Sequence, residues 1–218
     1  MLANHVLFLD GEALVIDKPA GLPVDRPRDG SISLENHLDG LTFGFKRWPV
    51  PVHRLDRDTS GCLLLSRNPK AHARLHQAFE QGLVRKRYLA VLEGVVEGES
   101  GLIDLALSKV STEETGWRMV GDPKGKPSRT AWRVLEIKDG RSFVEFIPET
   151  GRTHQIRVHA AEALGAPVFG DPVYGSGDKG AESLLHAAEL TIPRQGKEPI
   201  VAKAPLPARF AAAGFTEG

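Results

Sequence analysis

Two short stretches concentrate the residue types that do chemistry. The first is His53-Arg54-Leu55-Asp56-Arg57-Asp58-Thr59-Ser60-Gly61, a polar run that passes at once into apolar Cys62-Leu63-Leu64-Leu65. Two carboxylates among two arginines can act as a nucleophile or as an acid–base pair kept ionised by neighbouring cations. The same composition also describes a solvated loop whose surface ion pairs contribute little. The second stretch is Gly151-Arg152-Thr153-His154-Gln155-Ile156-Arg157-Val158-His159. Its Arg, Thr, His and Gln residues, anchored by Ile156 and Val158, suit a helix start that lines a cleft, and equally a polar helix entrance capped by Thr153. A third candidate is Tyr88, which follows the basic run Arg85-Lys86-Arg87; an aromatic on a strand ordinarily serves the core.

These groups need elements to hold them. Ala13-Leu14-Val15-Ile16-Asp17 reads as a buried strand stopped at Lys18-Pro19-Ala20-Gly21, followed by a Pro-rich polar loop. A helix is plausible around Leu34–Leu38, and Gly44 to Pro51 looks irregular. The clearest helix starts at Pro69 after the N-cap Asn68 and ends near Gln81, with Gly82 at C′ and Ala71, Leu75 and Phe79 as its apolar stripe. Arg87–Leu92 reads as a strand. Residues 132–137 and 142–147 flank Lys138-Asp139-Gly140-Arg141, a hairpin signal. Thr153 to Leu164 reads as a helix ended by Gly165 and Pro167. The final third, rich in Pro and Gly, reads as loops with a short strand or two. The pattern predicts α+β with a largely antiparallel, mixed β-sheet flanked by helices and loops.

Composition narrows the classes. The 218 residues carry 28 basic and 28 acidic side chains, and Cys62 is the only cysteine. A disulfide framework and cysteine-rich zinc sites are therefore excluded. His53, His154, His159 and His186 invite a metal, but no carboxylate pattern of the His-Glu-x-x-His kind completes a site, so no metal is expected. The N-terminus has no basic region leading into an apolar run, and no stretch approaches the roughly 18 apolar residues of a membrane span. A cytoplasmic location and no membrane partner are expected. A formal charge of zero counts mildly against nucleic acid, although placement matters more than the sum.

Taken together, HRLDRDTSG and GRTHQIRVH, in this order, resemble the RluA-type RNA pseudouridine synthases. So do Lys18-Pro19-Ala20-Gly21, Lys86-Arg87-Tyr88-Leu89-Ala90, Gly170-Asp171-Pro172-Val173-Tyr174-Gly175 and Leu184-Leu185-His186-Ala187. The resemblance spans roughly residues 10 to 210 and implies a pseudouridine synthase-like catalytic domain over residues 1–218. Only about ten residues precede the first motif, so the N-terminal S4 RNA-binding domain of many relatives is not expected.

The resemblance implies an isomerase that breaks the uridine N-glycosidic bond, rotates the uracil and rejoins it through C5, without metal or organic cofactor. Asp56 maps to the nucleophile, whether it attacks C1′, attacks C6 or assists elimination to a glycal. Arg157 maps to the cation that orients Asp56 and keeps it ionised. Tyr88 maps to the tyrosine that stacks on the detached uracil and whose hydroxyl can remove a proton. Arg54 maps to the arginine that enters the space left by the flipped nucleotide, a task suited to a planar guanidinium. His53, Arg152, Thr153, His154, Gln155, Arg85 and Lys86 are the further substrate-binding candidates, and Lys124, Lys126 and Arg129 form a second basic loop. The implied partner is structured RNA, rRNA or tRNA stem-loops, bound by a monomer. An inactive RNA-binding relative is the alternative, and a hydrolase pairing Asp56 with Asp58 is a weaker one.

Overall fold

The computed structural model describes residues 2–113, 116–176 and 180–217. In chain order the strands of the first half are β1 (Val6–Leu9), β2 (Ala13–Lys18), β3 (Val50–Pro51), β4 (Ser60–Ser66) and β5 (Arg85–Leu92), with helix α1 (Pro69–Glu80) between the last two. Then come β6 (Ser100–Asp104), β7 (Leu107–Thr112), β8 (Gly116–Gly121), β9 (Arg129–Lys138), β10 (Arg141–Pro148) and the short helix α2 (Gln155–Val158). The chain ends with β11 (Leu185–Arg194), β12 (Lys197–Lys203) and α3 (Ala208–Ala212). The class is α+β, with largely antiparallel pairing. The residues group into two compact units, Met1–Lys86 with Ala187–Pro205, and Arg87–His186 with Leu206–Gly218.

In the first unit the strand order is β1-β2-β4-β11, with β3 added to β4 and β12 to β11. All seven residues of β4 are buried, which is why Cys62–Leu65 is continuously apolar rather than alternating. Helix α1 covers one face through Ala71, Leu75 and Ala78, packing on Val15, Leu64 and Ile192. Its ends are set by local chemistry. The Asn68 side chain accepts the Ala71 amide at 2.9 Å. Gly82, at φ +69°, lets Gly82 and Leu83 donate to the Phe79 and Ala78 carbonyls, the paired bonds of a Schellman close.

In the second unit β5, β10, β9 and β6 lie side by side and β7–β8 form a separate hairpin. The β9–β10 turn places Asp139 and Gly140 both at positive φ, as a type I′ hairpin requires. A core of Ala90, Val144, Phe146, Ile156 and Ala160 lies between this sheet and α2.

Three sequence expectations change. The helix near Leu34 is two 3₁₀ turns, Leu34–His37 and Asp39–Leu41. The helix read from Thr153 begins at Gln155, because His154 is left-handed at φ 53°, and after Val158 it widens to a π-helix over His159–Ala163. The final third contains a ten-residue and a seven-residue strand where short ones were expected. Pro193 and Pro199 masked them: the β11–β12 register slips between Ile192 and Arg194, and proline is accommodated where ladder bonds are interrupted.

Candidate active site

Asp56 lies in the first unit at the head of a tight turn. Leu55 and Thr59 are buried on either side of it, and the Thr59 amide donates to the Asp56 carbonyl at 3.2 Å. Asp56 itself is half-buried. The turn is held from beneath by Lys18, which is fully buried. Its Nζ donates to the carbonyls of Pro19 (2.9 Å), Leu22 (2.8 Å) and Arg57 (3.0 Å), and Arg57 Nε returns a bond to the Gly21 carbonyl at 3.2 Å. A buried ammonium requires such partners, so the Lys-Pro-Ala-Gly segment and the Asp56 turn are obliged to fold together. Gly61 closes the turn at φ +108°, where a Cβ would lie 2.2 Å from the Ala187 carbonyl oxygen. Only glycine fits there.

The other candidates of this unit divide between scaffold and surface. His53 Nε2 accepts the Leu64 amide at 3.0 Å, and its ring stacks on Phe79 at 4.6 Å. Burial, helped by the charge of Lys86, pushes the His53 pKa down to about 3. A neutral ring bonded to the backbone of β4 holds the loop. Arg54 is exposed and pairs with Asp25 at 2.6 Å. Arg85 is exposed, whereas burial lowers the Lys86 pKa to about 8. Burial likewise pushes the Cys62 thiol up to about 12, which leaves it without thiolate character at neutral pH.

Arg157 belongs to the second unit. It is buried, and its Nε and Nη2 donate to the two oxygens of Asp171 at 2.6 and 2.8 Å. Asp171 Oδ1 also accepts the amides of Val173 (2.9 Å) and Tyr174 (3.0 Å). Burial alone would raise the Asp171 pKa; the bonds and charge of Arg157, with those two amides, outweigh it and hold the carboxyl below its ordinary value. The guanidinium carbon stands 5.1 Å from the centre of the Tyr174 ring. The Gly-Asp-Pro-Val-Tyr-Gly segment is thus a clamp on Arg157, a role that its position in the sequence did not disclose.

Gln155 is buried with its amide committed to the protein. Oε1 accepts from Thr150 Oγ1 and the Arg152 amide, and Nε2 donates to the Arg129 carbonyl and Thr130 Oγ1. It fixes the loop before α2. His159 is fully buried and bonds Thr130 and Ser128. His154 Nδ1 lies 2.9 Å from the Tyr174 hydroxyl. Arg152 and Thr153 are exposed, and Arg152 Nε reaches the Pro127 carbonyl at 3.1 Å. Thr153 is not the cap, since the helix begins after His154. Tyr88 sits on β5 opposite Phe146, half-buried against the cluster that includes Ile156. Among the described residues no group of three His, Cys, Asp or Glu side chains is placed to hold a metal.

Residues 12–162 match the family model described as RNA pseudouridylate synthase. The chain belongs to that family. An uncharacterized RNA pseudouridine synthase of Zymomonas mobilis is 60% identical, over 99% of both chains. A ribosomal large subunit pseudouridine synthase C of Buchnera aphidicola is 33% identical, over 96% of this chain and 69% of its own. Among solved structures, human RNA pseudouridylate synthase domain containing 1 superposes with a TM-score of 0.79 at 31% identity, over 94% of this chain and 86% of that one. As a pseudouridylate synthase the protein is an isomerase acting on uridine in RNA. The matched span contains Asp56, Tyr88 and Arg157 and stops before Asp171. No helix among the described residues is long and apolar enough to cross a membrane.

Proposed function

We propose that this pseudouridylate synthase uses Asp56 as its nucleophile on uridines of structured RNA, with large-subunit ribosomal RNA the leading substrate class. The observation that carries the reading is the turn itself: a half-buried carboxylate whose neighbours Leu55, Thr59 and Gly61 are locked and whose loop rests on buried Lys18. A carboxylate held this way meets its target without reorganising. The N1–C1′ bond breaks and C5–C1′ forms; the C5 proton leaves and N1 gains one, so mass is conserved. Arg157 supplies the fixed cation, pre-aimed by Asp171, and Tyr88 supplies the ring and hydroxyl beside the uracil. Arg54, exposed and planar, fills the gap left by the extruded nucleotide. Arg85, Lys86, Arg152, Thr153 and His154 complete the RNA-facing set. The Buchnera relative's name supports ribosomal RNA, which points to the cytoplasm as the place of work, and a monomer suffices.

The test is Asp56→Asn. Pseudouridine formation should fall below detection while affinity for a uridine-containing stem-loop stays within about threefold, because phosphate contacts carry binding. Appreciable turnover by the variant would remove Asp56 from the nucleophile's role. Mapping pseudouridine in rRNA and tRNA of cells lacking the protein separates the two RNA classes.

A further inference from the structure

The hairpin β7–β8 carries side chains that neither the fold nor the reaction accounts for. The ladder pairs Leu107 with Gly121, Lys109 with Met119 and Ser111 with Trp117, so these residues share one face. Near its root that face is core, where Leu107 and Met119 pack on Val158 of α2. Further out it carries Lys109 and Trp117. Trp117 is 49% exposed, yet it is not loose. Its ring stacks on His154 at 5.2 Å and 28°, and Lys109 Nζ stands 4.8 Å from its centre.

His154 faces Trp117 at a conformational cost. A non-glycine residue at φ 53° is uncommon and is kept only where its surroundings demand it. The geometry aims the imidazole between two aromatic partners. Trp117 lies against it in a stack, while Tyr174 meets it edge-on at 5.7 Å and 85°. The Tyr174 hydroxyl also accepts the Met119 amide of the hairpin at 3.0 Å. A column of contacts therefore runs from Lys109 through Trp117, His154 and Tyr174 to Arg157.

Lys109 stands at the exposed end, and further cations lie along the hairpin and at its root. The root of the hairpin is bridged to the basic loop, Leu107 to Lys126, and Arg152 is tied to the neighbouring Pro127 carbonyl. Lys109, Arg118, Lys124, Lys126 and Arg152 are all exposed. An anchored aromatic with a lysine at its face and more Lys and Arg along the same hairpin and its root has the chemistry of single-strand recognition, in which the ring stacks a base and the cations hold the phosphates.

We infer that Trp117, fixed by His154, is a stacking site for an unpaired base of the RNA, distinct from the uridine that reacts. The distinction rests on the reading of Arg157 given above, since the His154 and Tyr174 rings stand between Trp117 and Arg157. Lys109 moves off the indole to a phosphate when the base arrives. RNAs with a splayed base near the target are thereby favoured over continuous duplex.

The experiment reads binding rather than turnover, so it stands or falls separately from the nucleophile. A Trp48→Phe/Trp132→Phe protein keeps Trp117 as its only tryptophan. Titration with a uridine-containing stem-loop should quench its fluorescence, and a fully paired duplex of the same composition should not. Trp117→Ala should weaken stem-loop affinity roughly 5- to 100-fold, Trp117→Tyr should restore most of it, and the single-turnover rate at saturating RNA should stay within about twofold. Unquenched fluorescence on saturation, equal quenching by duplex, or unchanged affinity of Trp117→Ala overturns the site. So does a variant that binds normally but turns over slowly, because Trp117 would then act only as a prop for His154.

Discussion

The Asp56 turn and the Arg157 segment place charged groups by opposite means. Asp56 is held through the main chain: a buried lysine collects carbonyls from two loops, and a glycine admits the close approach of Ala187. Arg157 is held through its own side chain, gripped at two nitrogens by Asp171 and bordered by the Tyr174 ring. The difference teaches which substitutions each region feels. A turn positioned by its main chain stays held by Lys18 and Gly61 when a side chain on it changes, so Asp56 is a site suited to testing chemistry. A guanidinium positioned by a carboxylate cannot lose that partner cleanly, because what remains is a buried charge stripped of its bidentate acceptor.

The largest expected effect is therefore at the clamp. Asp171→Ala should cost about 3–5 kcal/mol of stability and reduce turnover in the molecules that remain folded, measured by urea unfolding and single-turnover assay. A loss below about 1 kcal/mol would show that Arg157 is not dependent on Asp171. Lys18→Met comes next. It removes the donor for three carbonyls while keeping the length of the side chain, and should cost about 2–3 kcal/mol. Its turnover should fall with RNA affinity preserved, since the turn loosens and the phosphate contacts do not. If Lys18→Met proves more damaging than Asp171→Ala, the contrast between the two regions is broken.

Acid separates the regions more gently. His53 is neutral when folded, with its pKa lowered from 6.5 to about 3, so below 6.5 the unfolded chain binds the extra proton. Its contribution is present above pH 6.5 and lost as pH falls toward 3, at no more than about 1.4 kcal/mol per pH unit. Asp171 is the depressed carboxyl. Its contribution is present above the ordinary Asp pKa of about 3.9 and is lost only as pH falls further, through its folded value. His53→Gln should flatten the stability profile between pH 6 and about 4 and leave the steeper loss below it. An unchanged slope in that variant would mean that the ring takes up its proton without penalty.

Much of the fold was legible where its signals are local. Asn68, Pro69 and Gly82 announce α1 whatever surrounds them, and Asp139-Gly140 announces its turn in the same way. Asp56 and Arg157 were legible only as members of ordered motifs; loop composition alone left them indistinguishable from solvated surface. What escaped was whatever depends on a distant partner. Nothing near Gln155 says that its amide is taken by Thr130 and Arg129, and nothing near Lys18 says that it reaches the Arg57 carbonyl. The long β11–β12 hairpin was hidden by prolines whose cost disappears where the register slips. Trp117 lay outside every motif and became visible only through the ring it touches.

The π-helix of His159–Ala163 bears on how the chain can change length. Its Leu164 amide bonds back to the His159 carbonyl, one residue more than an α-helix spans, so the segment carries an extra residue in its turn. Removing Ala161 would let the turn relax to regular helix, and each residue of regular helix advances the chain by about 100°. Local comfort would improve while the link to the next fixed point lost a residue. The stretch that follows is pinned to β5 before it delivers Asp171 to Arg157, with the Glu93 amide on the Pro167 carbonyl and the Phe169 amide on the Val91 carbonyl, both at 2.8 Å. A deletion in the turn must therefore be absorbed between the turn and Pro167. The irregular turn is a spacer set by the arithmetic of the chain, and substitutions there should be accepted far more readily than losses or gains.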